Sequence, residues 1–289
     1  MEPVLVIHGG AGSSIRSPEE RERVLGESLE AGFVVLKQGR EALQAVIKSV
    51  KVMEDSPLFN AGTGSVPNLL GEAEMDASVM TSEGLFGAVA SIKYVKNPVQ
   101  VAFEVARETE HLMLAGEGAT RFARIMGHRE FDPLTDEMRE LFKKRKKSDY
   151  YKDIDRMRRL YSTETVGAVA IDSFGFMAAA LSTGGMMFHL PGRVGDTPII
   201  GGGIYVSKRG AITATGHGEG IMKEIVAKRT DDYLAESNAE DAAEKVIQEV
   251  DADFGIIIVD EDGKVGIAYN TNYMSWGIKT KDYKKVQGA

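Results

Sequence analysis

"TETVGAVAIDSFGFMAAALSTGG", residues 163–185, is the stretch on which the reading of this chain turns. From Thr165 small and apolar residues run to residue 172, break at a short glycine-containing turn, and resume at Met177. That is the pattern of two buried strands joined as a hairpin, expected at 165–172 and 177–183. The residues before it are of another kind. Over 136–159, 16 of 24 residues are charged, ten positive and six negative, and such a segment cannot bury enough apolar surface to fold by itself. A solvated insert over about 125–164 that ends on a Thr-Val-Gly strand asks for a chemical reason.

Outward from the hairpin, the pattern gives blocks of strands beside blocks of helices. "PVLVIHGGAG" predicts a buried strand at 4–7 running into a glycine turn. "SPEERERVLGESLEAGFVVLKQG" carries helix-start signals: Ser17 as N-cap, Pro18 at the first helical position, and Glu20 completing a capping box. A helix over "REALQAVIKSVKVMED" precedes the loop "SPLFNAGTGSVPN". "EAEMDASVM" and "FGAVASI" read as adjacent strands, and helices are expected to begin near Pro98 and Gly118. Beyond the hairpin come a loop to about Tyr205, a strand at 211–215, and helices near 219–235 and 238–251. The second of these carries a capping box from Ser237 to Glu240. The closing strands are "FGIIIVD", "KVGIAYN" and "SWGIKT". Blocks of this kind point to layered sheets sandwiched by helices, not to a doubly wound sheet.

The 289 residues, 43% hydrophobic, suffice for a sizeable core. A net charge of −8 argues against nucleic acid or a membrane surface as the main partner. No apolar run reaches the ~18 residues of a membrane span, and the amino terminus is unlike a signal peptide, so a soluble cytoplasmic protein is expected. With no cysteine, thiol nucleophiles and thiolate metal sites are excluded. Abundant charge beside only six Asn and five Gln suggests a heat-adapted source.

Most candidate sites dissolve on inspection. "HGGAGSS" at 8–14 lacks both the Gly-Lys-Ser/Thr ending of a phosphate loop and dinucleotide-fingerprint spacing. On its own it reads as a glycine turn with His8 satisfied in the interior. The five histidines show no metal-ligand spacing, and no Gly-x-Ser-x-Gly elbow occurs. What remains is a threonine-rich set: Thr165, Thr183 in "LSTGG", and Thr215 with Gly216 in "TATGHGEG". Between them "LPGRVGDTPIIGGG" holds Arg193 and Asp196 three residues apart. Singly, each threonine is more simply a strand residue. Together, within fifty residues, they are harder to dismiss.

These motifs, in this order, resemble the plant-type asparaginases, or isoaspartyl peptidases, of the N-terminal-nucleophile hydrolases. "IHGGAG" at 7–12, "PLFNAGTGSV" at 57–66 and "EMDASVM" at 74–80 agree as well, so the resemblance covers the chain outside the insert. It implies an α+β fold, a four-layer αββα sandwich, self-cleaved into 1–164 and 165–289. Threonine is a poor nucleophile unless a neighbouring base takes its proton. Cleavage before Thr165 would free an α-amine with a reference pKa of ~8 to serve as that base. The insert then becomes the tail left on the first subunit.

By the same resemblance Thr165 is processing and catalytic nucleophile, and Thr183 orients it. Thr215 and Gly216 form the oxyanion hole. Arg193 clamps the substrate α-carboxylate, Asp196 receives its α-ammonium, and the Gly218 backbone completes the pocket. Asn60 reaches the site from the first subunit, while His8, Gly9 and Gly10 lie near the scissile bond and serve processing. Carbonyls near Glu54, Phe59 and Ala61 resemble a structural sodium site, with no cofactor needed for catalysis. The implied substrates are L-asparagine and β-aspartyl dipeptides, and the implied assembly is a homodimer of cleaved units. Two features depart from expectation: Glu164 stands where glycine or aspartate is usual, and the insert is unusually basic. A glycosylasparaginase-like amidase would carry Ser-Thr-Asn-Gly where this chain has "STGG", and threonine aspartases lack Asp196. An uncleaved homologue that merely binds amino acids is the rival of a different class.

Overall fold

The computed structural model describes residues 1–13, 17–145 and 165–288. Among them twelve strands form two sheets. In chain order the strands are β1 (Val4–Gly12), β2 (Met75–Thr81), β3 (Phe86–Ile92), β4 (Met113–Ala115), β5 (Val166–Ile171), β6 (Met177–Thr183), β7 (Ile204–Val206), β8 (Gly210–Gly216), β9 (Phe254–Asp260), β10 (Val265–Tyr269), β11 (Tyr273–Lys279) and β12 (Lys284–Gln287). The helices are α1 (Pro18–Lys37), α2 (Ala42–Glu54), α3 (Pro98–Glu108), α4 (Gly116–Ile125), α5 (Asp136–Arg145), α6 (Gly218–Glu224), α7 (Val226–Tyr233) and α8 (Ala239–Glu249). The large sheet runs β12-β11-β1-β5-β6-β2-β3-β4 and the small one β10-β9-β8-β7. The class is mixed α+β.

The hairpin of β5 and β6 lies at the centre of the large sheet. Successive side chains of a strand point to opposite faces, and here both faces are dry. Val166, Ala168, Ala170, Ala178 and Ala180 enter a core shared with α1, α2 and α3. Val169, Ile171, Ala179 and Leu181 enter a second core with Ile204, Val206, Ala211, Ile257 and Val259 of the small sheet. A third core joins the other face of the small sheet to Val226, Ala242 and Val246 of α7 and α8. Burial on both sides explains why the strands read as nearly continuous apolar runs instead of alternating ones. The alanines let α2 come close to the sheet. The α1 and α2 helices are held equally close, with Ser28 and Ser49 exchanging hydroxyl-to-carbonyl bonds at 2.9 and 3.1 Å.

Several local expectations are corrected. The glycine run does not turn. β1 continues to Gly12, and "HGG" becomes a bulge, with the register against β11 slipping between His8 and Ala11. Ser17 does not cap α1: its backbone is left-handed (φ 49°) and its side chain makes no cap bond, although Pro18 does open the helix. α8 begins one residue later than expected. Asn238 is its cap, accepting the N–H groups of Glu240 and Asp241 at 3.0 and 3.1 Å, while the Ser237 hydroxyl donates backwards to Tyr233. The helix expected over 219–235 is broken at Ile225 (φ 49°). Part of the charged insert is helical, because Met138 of α5 is buried and the Phe142 ring packs 5.9 Å from that of Phe188. Tertiary contact supplies what its composition lacks.

Replacing an N-cap Asn by Ala costs about 1 kcal/mol. Asn238→Ala is therefore expected to lower the unfolding free energy by about that amount in denaturant titration, and Glu240→Ala by less than half as much. The reverse order would restore the Ser237–Glu240 box.

Candidate functional site

Thr165 is buried at the entrance to β5. The antiparallel register pairs Val166 with Ser182 and Gly167 with His8. Thr165 and Thr183 each lie one position beyond the Val166–Ser182 pair, so the ladder brings them to the same end of the hairpin. The Thr183 hydroxyl accepts the Gly185 N–H at 3.1 Å, which fixes its rotamer at the edge of the "STGG" turn. His8 Nδ1 lies 3.0 Å from the Thr165 carbonyl oxygen. A carbonyl only accepts, so Nδ1 carries the proton and Nε2 does not. Burial pushes the His8 pKa down to about 3, against a smaller upward pull from that bond, and the ring is neutral at neutral pH. The ring packs against Gly167, where a methyl group would sit 2.2 Å from His8 Nε2. Glycine is obligatory there.

The glycines after His8 make room for the 57–66 loop. A methyl group on Gly9 would meet the Phe59 ring at 2.5 Å and the Ser275 hydroxyl at 2.8 Å, and Gly10 takes φ 108°. Arg21 of α1, fully buried, ties the two segments together. Its guanidinium donates to the Leu58 carbonyl at 2.6 Å and the Gly9 carbonyl at 3.4 Å, and lies 5.0 Å from the centre of the Phe59 ring. In sequence it is one charge among many on an amphipathic helix, so nothing marked it. Asn60 in turn grips the turn after β6. Its Nδ2 donates to the Gly185 carbonyl at 2.6 Å, its carbonyl accepts the Gly184 N–H at 2.8 Å, and its Oδ1 accepts the Val66 N–H at 3.0 Å.

The charged pair sits across from these elements. A methyl group on Gly218 would lie 2.8 Å from both Arg193 Nη2 and Asp196 Oδ1. A positive and a negative group therefore converge on one small space that only glycine leaves open. Asp196 is buried, and its Oδ2 has no hydrogen-bond partner among the described residues. Desolvation pushes its pKa up to about 7 against the pull of Arg193. Arg193 Nη1 faces Gly185, 3.5 Å from where a methyl group there would sit. Nε and Nη2 fork onto Glu219 at 3.0 and 2.9 Å. Glu219 went unnoticed in the sequence, although it stands in "TATGHGEG" directly after Gly218. Thr215 and Gly216 end β8, which packs on β5 across the inter-sheet core. The Thr215 hydroxyl is buried without a partner among the described residues. Gly216 has φ 144°, and a side chain there would strike the Asp253 carbonyl at 2.4 Å.

Behind Arg193 and Asp196 stand Glu74 and Asp76, two buried carboxylates that the motif "EMDASVM" contains without a role read from the sequence. Glu164 lies outside the described residues. No group of three His, Cys, Asp or Glu side chains that could hold a metal occurs among the described residues. Methyl groups on Gly62 and Gly64 would lie 2.6 Å from the Glu54 carbonyl and 3.0 Å from the Phe59 carbonyl, so the 54–64 loop packs closely on itself. No described helix is long and apolar enough to cross a membrane.

The site thus offers a buried hydroxyl at the end of a rigid central strand, a second hydroxyl beside it, and a hydroxyl with a glycine N–H on the facing sheet. A cation and an anion both approach the space beside Gly218. A family model described as "Asparaginase" matches residues 1–287. A plant-type L-asparaginase of Pyrococcus furiosus is 41% identical over 305 residues, covering 99% of each chain. The plant-type L-asparaginase of Pyrococcus abyssi is 42% identical, over 94% of each chain. An isoaspartyl peptidase/L-asparaginase of Danio rerio is 40% identical, over 96% of this chain and 92% of its own. With that match along its whole length, and with the sequence motifs folded into one site, the chain belongs to the Asparaginase_2 family.

Proposed function

We propose that this chain is an amidohydrolase that releases ammonia from L-asparagine and cleaves β-aspartyl dipeptides through an acyl-enzyme on Thr165. The observation that carries this reading is the convergence of Arg193 and Asp196 on the space beside Gly218. An α-amino acid presents a carboxylate and an ammonium on one carbon. A guanidinium and a carboxylate side by side match that pair and leave the substrate side chain to extend away from them. The names of the relatives support the same substrates.

Maturation comes first. The Thr165 hydroxyl attacks the carbonyl of Glu164, the peptide nitrogen leaves as the new α-amine, and water hydrolyses the resulting ester to give fragments 1–164 and 165–289. His8 would serve here by holding the Thr165 carbonyl, with Gly9 and Gly10 giving the bulge its room. Glu164, bulkier than glycine, would slow the turn that this acyl shift needs. In the mature site the amine takes the hydroxyl proton as the oxygen attacks the substrate β-carbonyl. The developing oxyanion is met by the Thr215 hydroxyl and the Gly216 N–H, donors of a kind worth about 3 kcal/mol each. Thr183 orients the nucleophile, and Asn60 holds the 184–185 turn that carries Thr183. The amine returns its proton to the leaving nitrogen, and water then releases aspartate by the same steps in reverse. Held on paired strands, the nucleophile needs little reorganisation.

The finer architecture follows the same reading. Helices, large sheet, small sheet and helices form a four-layer αββα sandwich around the three cores. The carbonyls of Glu54, Phe59 and Ala61 suit a hard monovalent cation such as sodium, whose part would be to stiffen the 54–64 loop that carries Asn60. The enzyme works in the cytoplasm as a homodimer of cleaved units, a state that sedimentation of matured protein tests.

Thr165→Ala is expected to stay a single band on a denaturing gel and to hydrolyse nothing. Wild type yields two fragments whose intact masses end at 164 and begin at 165. Cleavage of the alanine variant at the same bond would mean that another protease does the processing. A wild type that never cleaves would leave an amino-acid-binding homologue in place of an enzyme.

The Asp196 carboxyl gives a pH dependence with a definite sign. It must be ionised to receive an ammonium, and burial raises its pKa to about 7. In the free enzyme kcat/KM therefore falls as pH drops through about 7. Asp196→Asn is expected to be slow at every pH and to lose that limb, while keeping the limb near ~8 from the Thr165 amine. Steady-state kinetics across pH 5–9 decide it. An unchanged profile in the variant assigns the limb elsewhere.

A further inference from the structure

We propose that Glu74 and Asp76 are positioning residues for the substrate clamp, capturing the backbone on both sides of Arg193 and so fixing where Arg193 and Asp196 present their charges. The proposal rests on the reading of Arg193 and Asp196 as the clamp. The segment that carries them has no strand or helix of its own between β6 and β7. Something else must hold it to the sub-ångström tolerance that a bidentate contact needs.

Glu74 Oε2 accepts the Gly192 N–H at 2.9 Å, and Asp76 Oδ2 accepts the Gly195 N–H at 3.0 Å. Arg193 stands between the two captured amides, and Asp196 follows the second. Glu74 immediately precedes β2 and Asp76 is its second residue, and both carboxylates reach the same loop. Both are buried. Their remaining bonds run to rigid parts of the fold. Asp76 Oδ1 accepts the N–H of Ser91, a β3 residue with φ 48°. Glu74 also accepts from Asn68 Nδ2 at 3.0 Å, and its Oε1 lies 3.3 Å from Lys93 Nζ. The captured loop is thereby tied to the large sheet beside Thr183, which pairs with Asp76 in the β2–β6 register. Nucleophile and clamp are referenced to the same strand pair.

The chemistry explains why acids stand here. Two N–H donors from different segments meet the two oxygens of Asp76, and an asparagine has only one acceptor oxygen to offer them. Its NH2 would face a donor, leaving one buried N–H unpaired. Burial pushes Asp76 up to about 6, with the bonds from Ser91 and Gly195 and the charge of Arg193 pulling it back. Arg193 thus has carboxylates around it on more than one side, Glu219 in direct contact and Asp76 behind its backbone.

The test uses matured full-length enzyme carrying Asp76→Asn, Glu74→Gln or, as control, Glu72→Gln. The Glu72 side chain pairs with Lys93 and has no hydrogen bond or ion pair to the captured loop among the described residues. Two readouts are taken: kcat and KM on L-asparagine, and hydrogen–deuterium exchange of peptides spanning 190–197 without substrate. Loss of a buried acceptor should raise KM about ten-fold in each of the first two variants, with kcat changed by no more than about two-fold. Exchange at 192–195 should quicken in both and stay unchanged in the control. KM and exchange equal to wild type would overturn the proposal. So would a fall in kcat and thermal stability with KM unmoved, the mark of a merely structural role. A wild type that turns over no asparagine, but whose 192–195 amides are released by both substitutions, would sink the function proposed above and leave the positioning role standing.

Discussion

The antiparallel ladder that joins β1, β5 and β6 constrains everything else in this protein. It pairs His8 with Gly167 and Val166 with Ser182, and in doing so sets Thr165 and Thr183 at one end of the hairpin, where both are buried. Because side chains alternate with a period of two, a slip of one residue would send every core residue of β5 to the wrong face and turn the threonine away. Two separate cores, one on each face, lock that register. Stability and site geometry are therefore set by the same bonds.

Burial has an electrostatic consequence that the site turns to use. Asp196 and Asp76 are both removed from water, and both have pKa values raised by desolvation. A buried carboxylate without enough donors is costly, and the Asp196 Oδ2 oxygen has no partner among the described residues. On the function proposed here, an incoming substrate ammonium would relieve that deficit. Arg193 is handled differently. Two of its nitrogens are committed to Glu219 and the third faces Gly185, which holds the planar fork in place; on the proposed function its remaining edge would meet the substrate carboxylate.

Glycine serves a distinct purpose at each point of contact. At Gly167 it admits a histidine ring, and at Gly218 it opens the space between cation and anion. Gly216 takes a backbone conformation that a side chain would strain. The density of glycine in "HGGAG", "STGG" and "GHGEG" thus reflects close approaches between segments distant in sequence.

From the sequence alone, the apolar hairpin after Thr165, the adjacency of β2 and β3, the α+β class and the family were legible, because each rests on local periodicity or on a motif read in order. Thr165, Thr183, Arg193, Asp196, Thr215 and Asn60 could be named for the same reason. The Ser17 and Ser237 caps could not be read correctly, since a cap depends on the backbone angle at one residue, and tertiary packing set that angle. The bulge at His8–Ala11 was mistaken for a turn because only the partner strand shows that pairing resumes. Arg21, Glu74, Asp76 and Glu219 stayed invisible for a common reason. Each is an ordinary charged residue in its own segment, and its meaning comes from a backbone N–H, a carbonyl or a guanidinium that the fold delivers from elsewhere in the chain. Local pattern determined most of the elements, and the order of the motifs named the candidate side chains. The packing of two sheets decided which of those groups meet, and with what charge.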